Sequence, residues 1–255
     1  MSLAHSPRIT QDGLILCLDA GNTKSYPGSG TVWKDLSGNG NDFTVVSTAF
    51  NTDSDGIKNM NFSGGHGVAK RVVSGSLSDI LTGTNDATLM CFTKVLNSTT
   101  TYRTLVRGAS HDHHVIINDP SASVAPNNIG MFNTDGSGQG FKDSTYDIDD
   151  FSNFDSKYNC YTFKFQGYLP EVPSAVKWQM SFNNSSDFGF ITSTGASFNQ
   201  GIASIGGYHG GNATNNNANA SQFWGNVALV LYYNRHLSTS EIAQNYNSFM
   251  GRYGI

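Results

Sequence analysis

The stretch that decides the fold closes the chain, from Phe223 to Ile255, and reads FWGNVALVLYYNRHLSTSEIAQNYNSFMGRYGI. In the first part of this stretch, successive side chains fall on opposite faces at period two, the repeat of a β-strand. One predicted face carries Val227, Leu229, Leu231 and Tyr233. The other face is also fairly apolar, so we expect a central strand that is covered on both sides.

A short helix is predicted directly after this strand. Ser238 stands three residues before Glu241, the spacing of a capping box, in which each side chain satisfies the other residue's free backbone N–H. Gly251 is expected to end the helix in a left-handed conformation. One stripe of this helix is apolar and consists of Ile242, Tyr246, Phe249 and Met250.

Composition favours one large β domain. The 255 residues include only 13% charged residues, and Gly, Asn, Ser and Thr are plentiful, as in short strands joined by polar loops. The net charge of −4 gives no indication of a nucleic-acid partner, and no apolar run is long enough for membrane insertion. The N-terminus shows no signal peptide, which predicts synthesis in a cytoplasm.

About a dozen short strands are expected before the helix, with turn residues between them. We interpret Asn59–Gly64 as a strand that ends at a small residue, with a plain edge strand as the alternative. The segment 134–140 is interpreted as a Gly-rich loop, and the acidic stretch 143–155 as lacking a strand pattern. The predicted fold is all-β, a two-sheet antiparallel jelly-roll sandwich with one short C-terminal helix. The predicted organisation is an N-terminal arm at 1–11 and one domain at 12–255.

Both ends of the chain resemble laminin-G-like, concanavalin-A-like jelly-roll domains. The closing resemblance lies in Tyr233–Ile242 and the short helix after it. The opening resemblance lies in Gly13–Gly21 and Trp33–Asn41. The resemblance implies two antiparallel sheets packed face to face, and it leaves function open, because this fold hosts lectins, glycosidases and structural modules.

The three cysteines do not form a disulfide framework. Cys17, Cys91 and Cys160 are odd in number and widely spaced, and each falls within an apolar strand pattern. We expect three small buried side chains, with one Cys17–Cys91 or Cys91–Cys160 bridge as the alternative.

Glycoside hydrolysis is the obvious chemistry for this fold, and it needs two carboxyl groups that flank the scissile bond. The chain has two glutamates: Glu171 falls in a Pro-flanked loop, and Glu241 is assigned to the helix cap. The remaining candidates are Asp147, Asp149 and Asp150. We therefore predict that the protein is not an enzyme, with a glycosidase as the third-ranked function.

Metal binding is considered at two places. The segment His111–His114 is dense in zinc ligands but lacks a second ligand pair at a usual spacing. Calcium would find oxygen ligands at Asp112, Asn133 and Asp135 on a sandwich rim. No metal site is assigned, no cofactor is predicted, and calcium remains open.

Sugar binding needs aromatic faces for stacking and amides or carboxylates for hydroxyl groups. The loops rich in Asn, Gly and Tyr suit this chemistry. The candidate carbohydrate-binding residues are Tyr208, His209, Asn212, Trp224 and Asp112. In the alternative interpretation, Trp224 and Tyr232 pack beneath the terminal helix and the Asn-rich loop is a connector.

Two functions follow as hypotheses. The opening segment from Leu18 to Asn41 resembles laminin-G-like modules of tailed phages, which implies a virion structural protein, as capsid decoration or a fibre component, with a lectin-like domain for host-surface glycans. Its expected location is the virion, its expected partners are other virion proteins, and it is expected to form a homo-oligomer. The alternative is a stand-alone bacterial carbohydrate-binding lectin module.

Overall fold

The computed structural model describes residues 8–62, 67–81, 86–96, 103–109, 113–117, 128–133, 140–147, 157–165, 175–183, 189–194, 201–206 and 223–255. Within these ranges the elements, in chain order, are β1 (Leu14–Asp19), β2 (Val32–Trp33), β3 (Phe43–Val46), β4 (Ala49–Thr52), β5 (Lys58–Asn61), β6 (Val68–Lys70), β7 (Val72–Val73), β8 (Ser76–Leu77), β9 (Ala87–Val95), β10 (Arg103–Arg107), β11 (His113–Ile117), β12 (Asn128–Asn133), β13 (Gly140–Asp147), β14 (Asn159–Phe165), β15 (Ala175–Phe182), β16 (Gly189–Thr194), β17 (Ser204–Ile205), β18 (Gly225–Tyr233) and α1 (Thr239–Tyr253).

Two antiparallel sheets build the domain. The helix-side sheet has the order β16-β15-β14-β9-β18-β5-β4, with β1 also paired to β18. The opposite sheet has the order β13-β12-β11-β10-β17-β6-β3-β2, and β7 and β8 form a separate ribbon. The predicted all-β, two-sheet antiparallel sandwich with one C-terminal helix is confirmed.

Strand β18 is central, as its sequence predicts. One edge pairs with β9 along the whole strand. Two strands share the other edge. Strand β5 pairs with Asn226 and Val227, and β1 pairs with 229–233. All nine residues of β18 are buried, so the apolar character of both faces reflects cover on both sides.

A register shift between Val227 and Leu229 divides the side chains of β18. Val227, Val230 and Tyr232 join the core between the two sheets. Leu229, Leu231 and Tyr233 face outward, beneath α1. The prediction that Val227 shares a face with Leu229 and Leu231 was therefore wrong, since a bulge adds one residue to the strand and reverses the alternation.

Helix α1 covers the outer face of the helix-side sheet. Its capping box is confirmed: the Glu241 N–H donates to Ser238 Oγ, and the Ser238 N–H donates to Glu241 Oε2 at 2.8 Å. The helix continues past Gly251 to Tyr253, and Gly254 is the left-handed cap at φ 68°. The predicted end at Gly251 was wrong because the Gly254 N–H closes the last turn onto the Met250 carbonyl.

Three further features of the strands differ from the sequence analysis or are missing from it. Strand β5 lies between β4 and β18 and is not at an edge. Residues 140–147 form β13, which pairs with β12. No strand was predicted at the position of β16. Both β13 and β16 are edge strands of their sheets, and a strand that pairs on one side only can have a weak apolar pattern.

Residues 8–11, the described part of the predicted arm, lie against α1. The Thr10 N–H donates to Asn245 Oδ1 at 2.8 Å, and the Tyr233 hydroxyl donates to the Thr10 carbonyl at 3.0 Å. Gln244 also donates to the Arg8 carbonyl. In the described part of the chain, no helix has the length and apolar character that crossing a bilayer requires.

Candidate functional site

Of the five candidate sugar-binding residues, Trp224 is the one that the structure describes. Tyr208, His209, Asn212 and Asp112 lie outside the described residues. Trp224 keeps 39% of its surface exposed, so it does not pack beneath α1. Tyr232, the other residue of that alternative, is buried in the core between the sheets.

Strand alternation points Trp224 away from the core, at one end of the helix-side sheet. Phe223 and Val227 point into the core between the sheets, so the residues between them at even positions, Trp224 and Asn226, point outward. Helix α1 covers the other end of the same face through Phe92 and Leu231. Trp224 therefore stands on the part of this face that the helix leaves open.

Leu96 is the cross-strand neighbour of Trp224. The Leu96 N–H donates to the Trp224 carbonyl at 2.8 Å, one residue beyond the Val95–Gly225 pair of the ladder. Leu96 is 38% exposed, and together the two side chains form an apolar shelf. The Arg103 guanidinium carbon lies 5.4 Å from the centre of the Trp224 ring, a cation–π distance. Arg103 begins β10 of the opposite sheet, so the Trp224 ring lies at the end of the sandwich, within reach of both sheets.

A polar row lies next to this shelf on the same face. Lys94 pairs with Asn226, and Asn226 pairs with Asn61, so their side chains stand side by side. Asn61 Nδ2 donates to Asn226 Oδ1 at 2.7 Å. The Lys94 ammonium is 3.8 Å from the exposed carboxylate of Asp55. We call Leu96, Trp224, Lys94, Asn226 and Asn61 the outer patch.

A cavity of about 460 Å³ opens beside the outer patch, between the C-terminal end of α1 and the turn that joins β4 to β5. We call it the helix-end cavity. The turn is shaped by Asp53, whose Oδ1 accepts the N–H groups of Asp55 at 3.0 Å and Ile57 at 2.9 Å. The residues that line the cavity are Asp55, Ile57, Lys157, Tyr158, Gly251, Arg252, Tyr253 and Gly254.

Two tyrosines form the wall between the cavity and the sheet. The rings of Tyr158 and Tyr253 stack with centroids 5.5 Å apart and planes 28° from parallel. Burial raises the pKa of the Tyr158 hydroxyl, and the Asp53 carboxylate raises it further. The side chains of Asp53, Asn226 and Asn59 all lie close enough to interact with this hydroxyl.

The position of the helix end over the sheet depends on an ion pair. Arg252 donates to both carboxylate oxygens of Asp19, at 2.9 and 2.5 Å. A Cβ atom at Gly21 would lie 1.6 Å from the Arg252 guanidinium, so this site needs a residue without a side chain. The pair fixes Arg252 at the cavity wall.

Glu241 is committed to structure rather than catalysis. Arg235 donates to its two carboxylate oxygens at 3.0 and 2.6 Å and holds the pKa of Glu241 at about 2. Such a carboxyl group stays ionised and cannot serve as a general acid near neutrality. Glu171, Asp149 and Asp150 lie outside the described residues, and for Asp147 only the backbone is described, as the last residue of β13.

The cysteines are free and buried, as expected. Among the described side chains, no group of three or more His, Cys, Asp or Glu residues could hold a metal ion. The proposed zinc and calcium ligands fall outside what the structure describes: His111, Asp112 and Asp135 are not described, and only the backbone of His113, His114 and Asn133 is described.

Sequence reasoning missed the residues around Trp224. The signal was present in Lys94 and Asn226, the polar residues that interrupt two largely apolar strands. Tyr158, Lys157 and Asp55 carried no local signal, because only the pairing of distant strands brings them together.

The amino-acid sequence matches no family model and no curated protein. Solved structures do share the fold. Domain 4 of AbnA, a GH43 extracellular arabinanase from Geobacillus stearothermophilus in complex with arabinotriose, aligns with a TM-score of 0.57 at 13% identity, over 91% of this chain and 98% of that chain. The binding domain of Paraclostridial Mosquitocidal Protein 1 aligns with a TM-score of 0.60 at 14% identity, over 94% and 53%.

Trypanosoma rangeli sialidase in complex with sialic acid aligns with a TM-score of 0.56 at 13% identity, over 92% of this chain and 33% of the sialidase. The chain thus spans about a third of the sialidase and about half of the mosquitocidal chain. At 14% identity or less, these likenesses establish the β-sandwich fold of this chain.

Proposed function

We propose that this protein is a carbohydrate-binding, non-catalytic β-sandwich module. The observation that carries the proposal is the exposed Trp224, which lies beside the exposed Leu96 and 5.4 Å from the Arg103 guanidinium carbon. An aromatic shelf binds the apolar face of a sugar, while the Lys94 ammonium offers a donor to its hydroxyl groups. The fold shared with a domain solved with arabinotriose supports the same function.

Glycan-array screening tests this proposal, followed by NMR titration of the best ligand. Trp224→Ala should lower affinity at least tenfold, because stacking is lost, while the melting temperature stays within about 2 °C for a partly exposed residue. Val32→Ala is the matched control, since Val32 is also an exposed apolar residue, 44% exposed, but lies on the opposite sheet. Equal binding by wild type and Trp224→Ala would contradict the proposal.

The proposed setting is a virus particle, in which the chain is a capsid-decoration or fibre protein. This part rests on the resemblance of the segment from Leu18 to Asn41 to tailed-phage modules. Such a protein would assemble with other virion proteins and display its glycan site in many copies, so that weak sites gain avidity. Mass spectrometry of purified particles tests this setting, and the absence of the chain from them would overturn it.

A bacterial lectin module is the second candidate. The comparison that favours it is domain 4 of AbnA, which is a domain of an extracellular enzyme. In that setting the chain would deliver a catalytic domain to its substrate. The sequence of the full gene distinguishes the two settings, because a neighbouring hydrolase domain would support the second.

A further inference from the structure

We infer that the helix-end cavity is a second sugar subsite, and that the ligand is a neutral oligosaccharide lying across the outer face from Trp224 to the cavity. This inference rests on the proposed carbohydrate-binding function and adds a site and a ligand class to it. The cavity, at about 460 Å³, falls within the size range of small-molecule sites.

The lining of the cavity has the chemistry that sugars use. Asp55 provides a carboxylate acceptor, Lys157 provides an ammonium donor, and Ile57 provides an apolar surface. The stacked pair of Tyr158 and Tyr253 adds aromatic surface. A polyol alternates C–H faces with hydroxyl groups, so it matches a wall that alternates apolar and polar groups.

Tyr158 and Tyr253 line the cavity, and both are buried. Tyr158 is 1% exposed and Tyr253 is 3% exposed. Their stacked rings give the cavity an aromatic wall on which the apolar face of a sugar can pack.

The C-terminal end of α1 forms one side of the cavity. The last carbonyl groups of a helix have no intrahelical partner, and residues 251–253 of this last turn line the cavity. They also form the negative end of the helix dipole. The Asp55 carboxylate balances the Lys157 ammonium in the lining, and Arg252 is engaged by Asp19, so the cavity suits a neutral sugar.

The register of the sheet sets the distance between the two subsites. Tyr158 stands beside Lys94, one residue beyond the Asn159–Thr93 pair, and Trp224 stands beside Leu96. The two Cα atoms are separated by two strand spacings across the sheet and two residues along it, or about 12 Å. The ligand must therefore contain several sugar units to occupy both subsites.

Gly251 offers a way to fill the cavity without disturbing the fold. It lies in α1 and lines the cavity, and a Cβ atom built on it meets no atom within 4 Å. Gly251→Leu places a side chain beside the subsite, and Gly251→Ala is the matched control. Both should raise helix stability, because glycine is a poor helix former.

The experiment is calorimetric titration with neutral arabino-oligosaccharides of one to five units, and with a sialylated trisaccharide as the acidic probe. For the wild type and Gly251→Ala, affinity should rise at least tenfold from the monosaccharide to the longest neutral probe. Gly251→Leu should lose that rise and keep monosaccharide binding, whereas Trp224→Ala should lose binding at every length.

The possible results separate the two proposals. Length-dependent binding that Gly251→Leu abolishes supports the second subsite. If affinity does not depend on ligand length, or if Gly251→Leu keeps the rise of affinity with length, the second subsite is overturned. The proposed sugar site at Trp224 is not affected by that result. Preference for the sialylated probe overturns the neutral ligand class. No binding of any probe by the wild type overturns both proposals for these sugars.

Discussion

Arg252, in the last turn of α1, donates two hydrogen bonds to the carboxylate of Asp19 at the end of β1, at 2.9 and 2.5 Å. Asp19 is buried, while 34% of the Arg252 side chain is exposed. The contact joins the first strand of the chain to its last helix. It therefore fixes the helix end that forms one wall of the helix-end cavity.

Loss of this pair should destabilise the protein. Arg252→Gln should lower the free energy of unfolding by about 2 kcal/mol, less than for a fully buried pair because solvent screens part of the guanidinium. The buried Asp19 carboxylate would keep the Gly21 N–H, at 2.9 Å. Urea denaturation measures the change, and a loss below about 0.5 kcal/mol would contradict it.

The double variant Asp19→Asn with Arg252→Gln is the control for this pair. It leaves no uncompensated buried charge, so it should be more stable than Arg252→Gln alone. Gly21→Ala provides an independent check, because its Cβ would displace the guanidinium and should mimic Arg252→Gln.

Stability should depend on the ionisation of Glu241. Its pKa of about 2 in the folded chain lies below that of an unfolded glutamate, about 4.3, so the folded state favours the carboxylate. The contribution of the Glu241 carboxylate to folding stability is fully present above pH 4.3 and is lost as the pH falls towards 2. Glu241→Gln should cost about 1 to 2 kcal/mol at pH 7, from the ion pair and the cap, and progressively less at lower pH.

Thermal unfolding between pH 2 and 7 measures this dependence. The matched control is Asp12→Asn, because Asp12 pairs with the same Arg235 at 2.8 Å but its side chain is 85% exposed. Its removal should change stability little at any pH, since exposed pairs contribute little. A Glu241→Gln deficit that does not shrink below pH 4 would show that the carboxylate is not the stabilising group.

Gly206 should tolerate no side chain. Its φ is 82°, and a Cβ atom there would lie 2.1 Å from the ring of the buried Phe62. Gly206→Ala should cost about 3 kcal/mol through strain and overpacking. Gly40 is also at positive φ but faces open space, so Gly40→Ala should cost about 1 kcal/mol. Calorimetry of the two variants therefore separates the cost of the clash with Phe62 from the cost of the backbone conformation.

The thiols should be inert in the folded chain. Burial raises the pKa of Cys17 and of Cys160 to about 12 and raises that of Cys91 well above its ordinary value. The thiolate is the reactive form, so a raised pKa suppresses reaction with Ellman's reagent at pH 8. Native protein should show no fast thiol, and denatured protein should show all three. Fewer than three in denaturant would indicate a disulfide.

Arg103 should influence sugar binding through Trp224. Arg103→Gln removes the cation beneath the ring, which should lower affinity for the best glycan about threefold, the scale of one partly exposed cation–π contact. Titration followed by tryptophan fluorescence measures the change. Arg71→Gln is the control, because Arg71 donates to Ser78 in the β7–β8 ribbon. Equal losses in both variants would point to a general effect of charge.

The sequence by itself determined the features that short-range physical rules govern. The capping box of Ser238 and Glu241 forms because its two partners are three residues apart. The central place of β18 followed from apolar residues on both of its faces. Period-two alternation in the strands, with turn residues between them, fixed the all-β class.

Tertiary structure alone decided the positions that depend on pairing between distant segments. The bulge in β18 reverses which residues face the helix, and no local pattern marks it. Trp224 was identified as a binding candidate, but its exposure depends on where α1 stops on the sheet. The helix-end cavity joins Asp55, Tyr158 and Tyr253 across nearly two hundred residues. Such sites depend on strand register, which the long-range pattern of backbone hydrogen bonds sets.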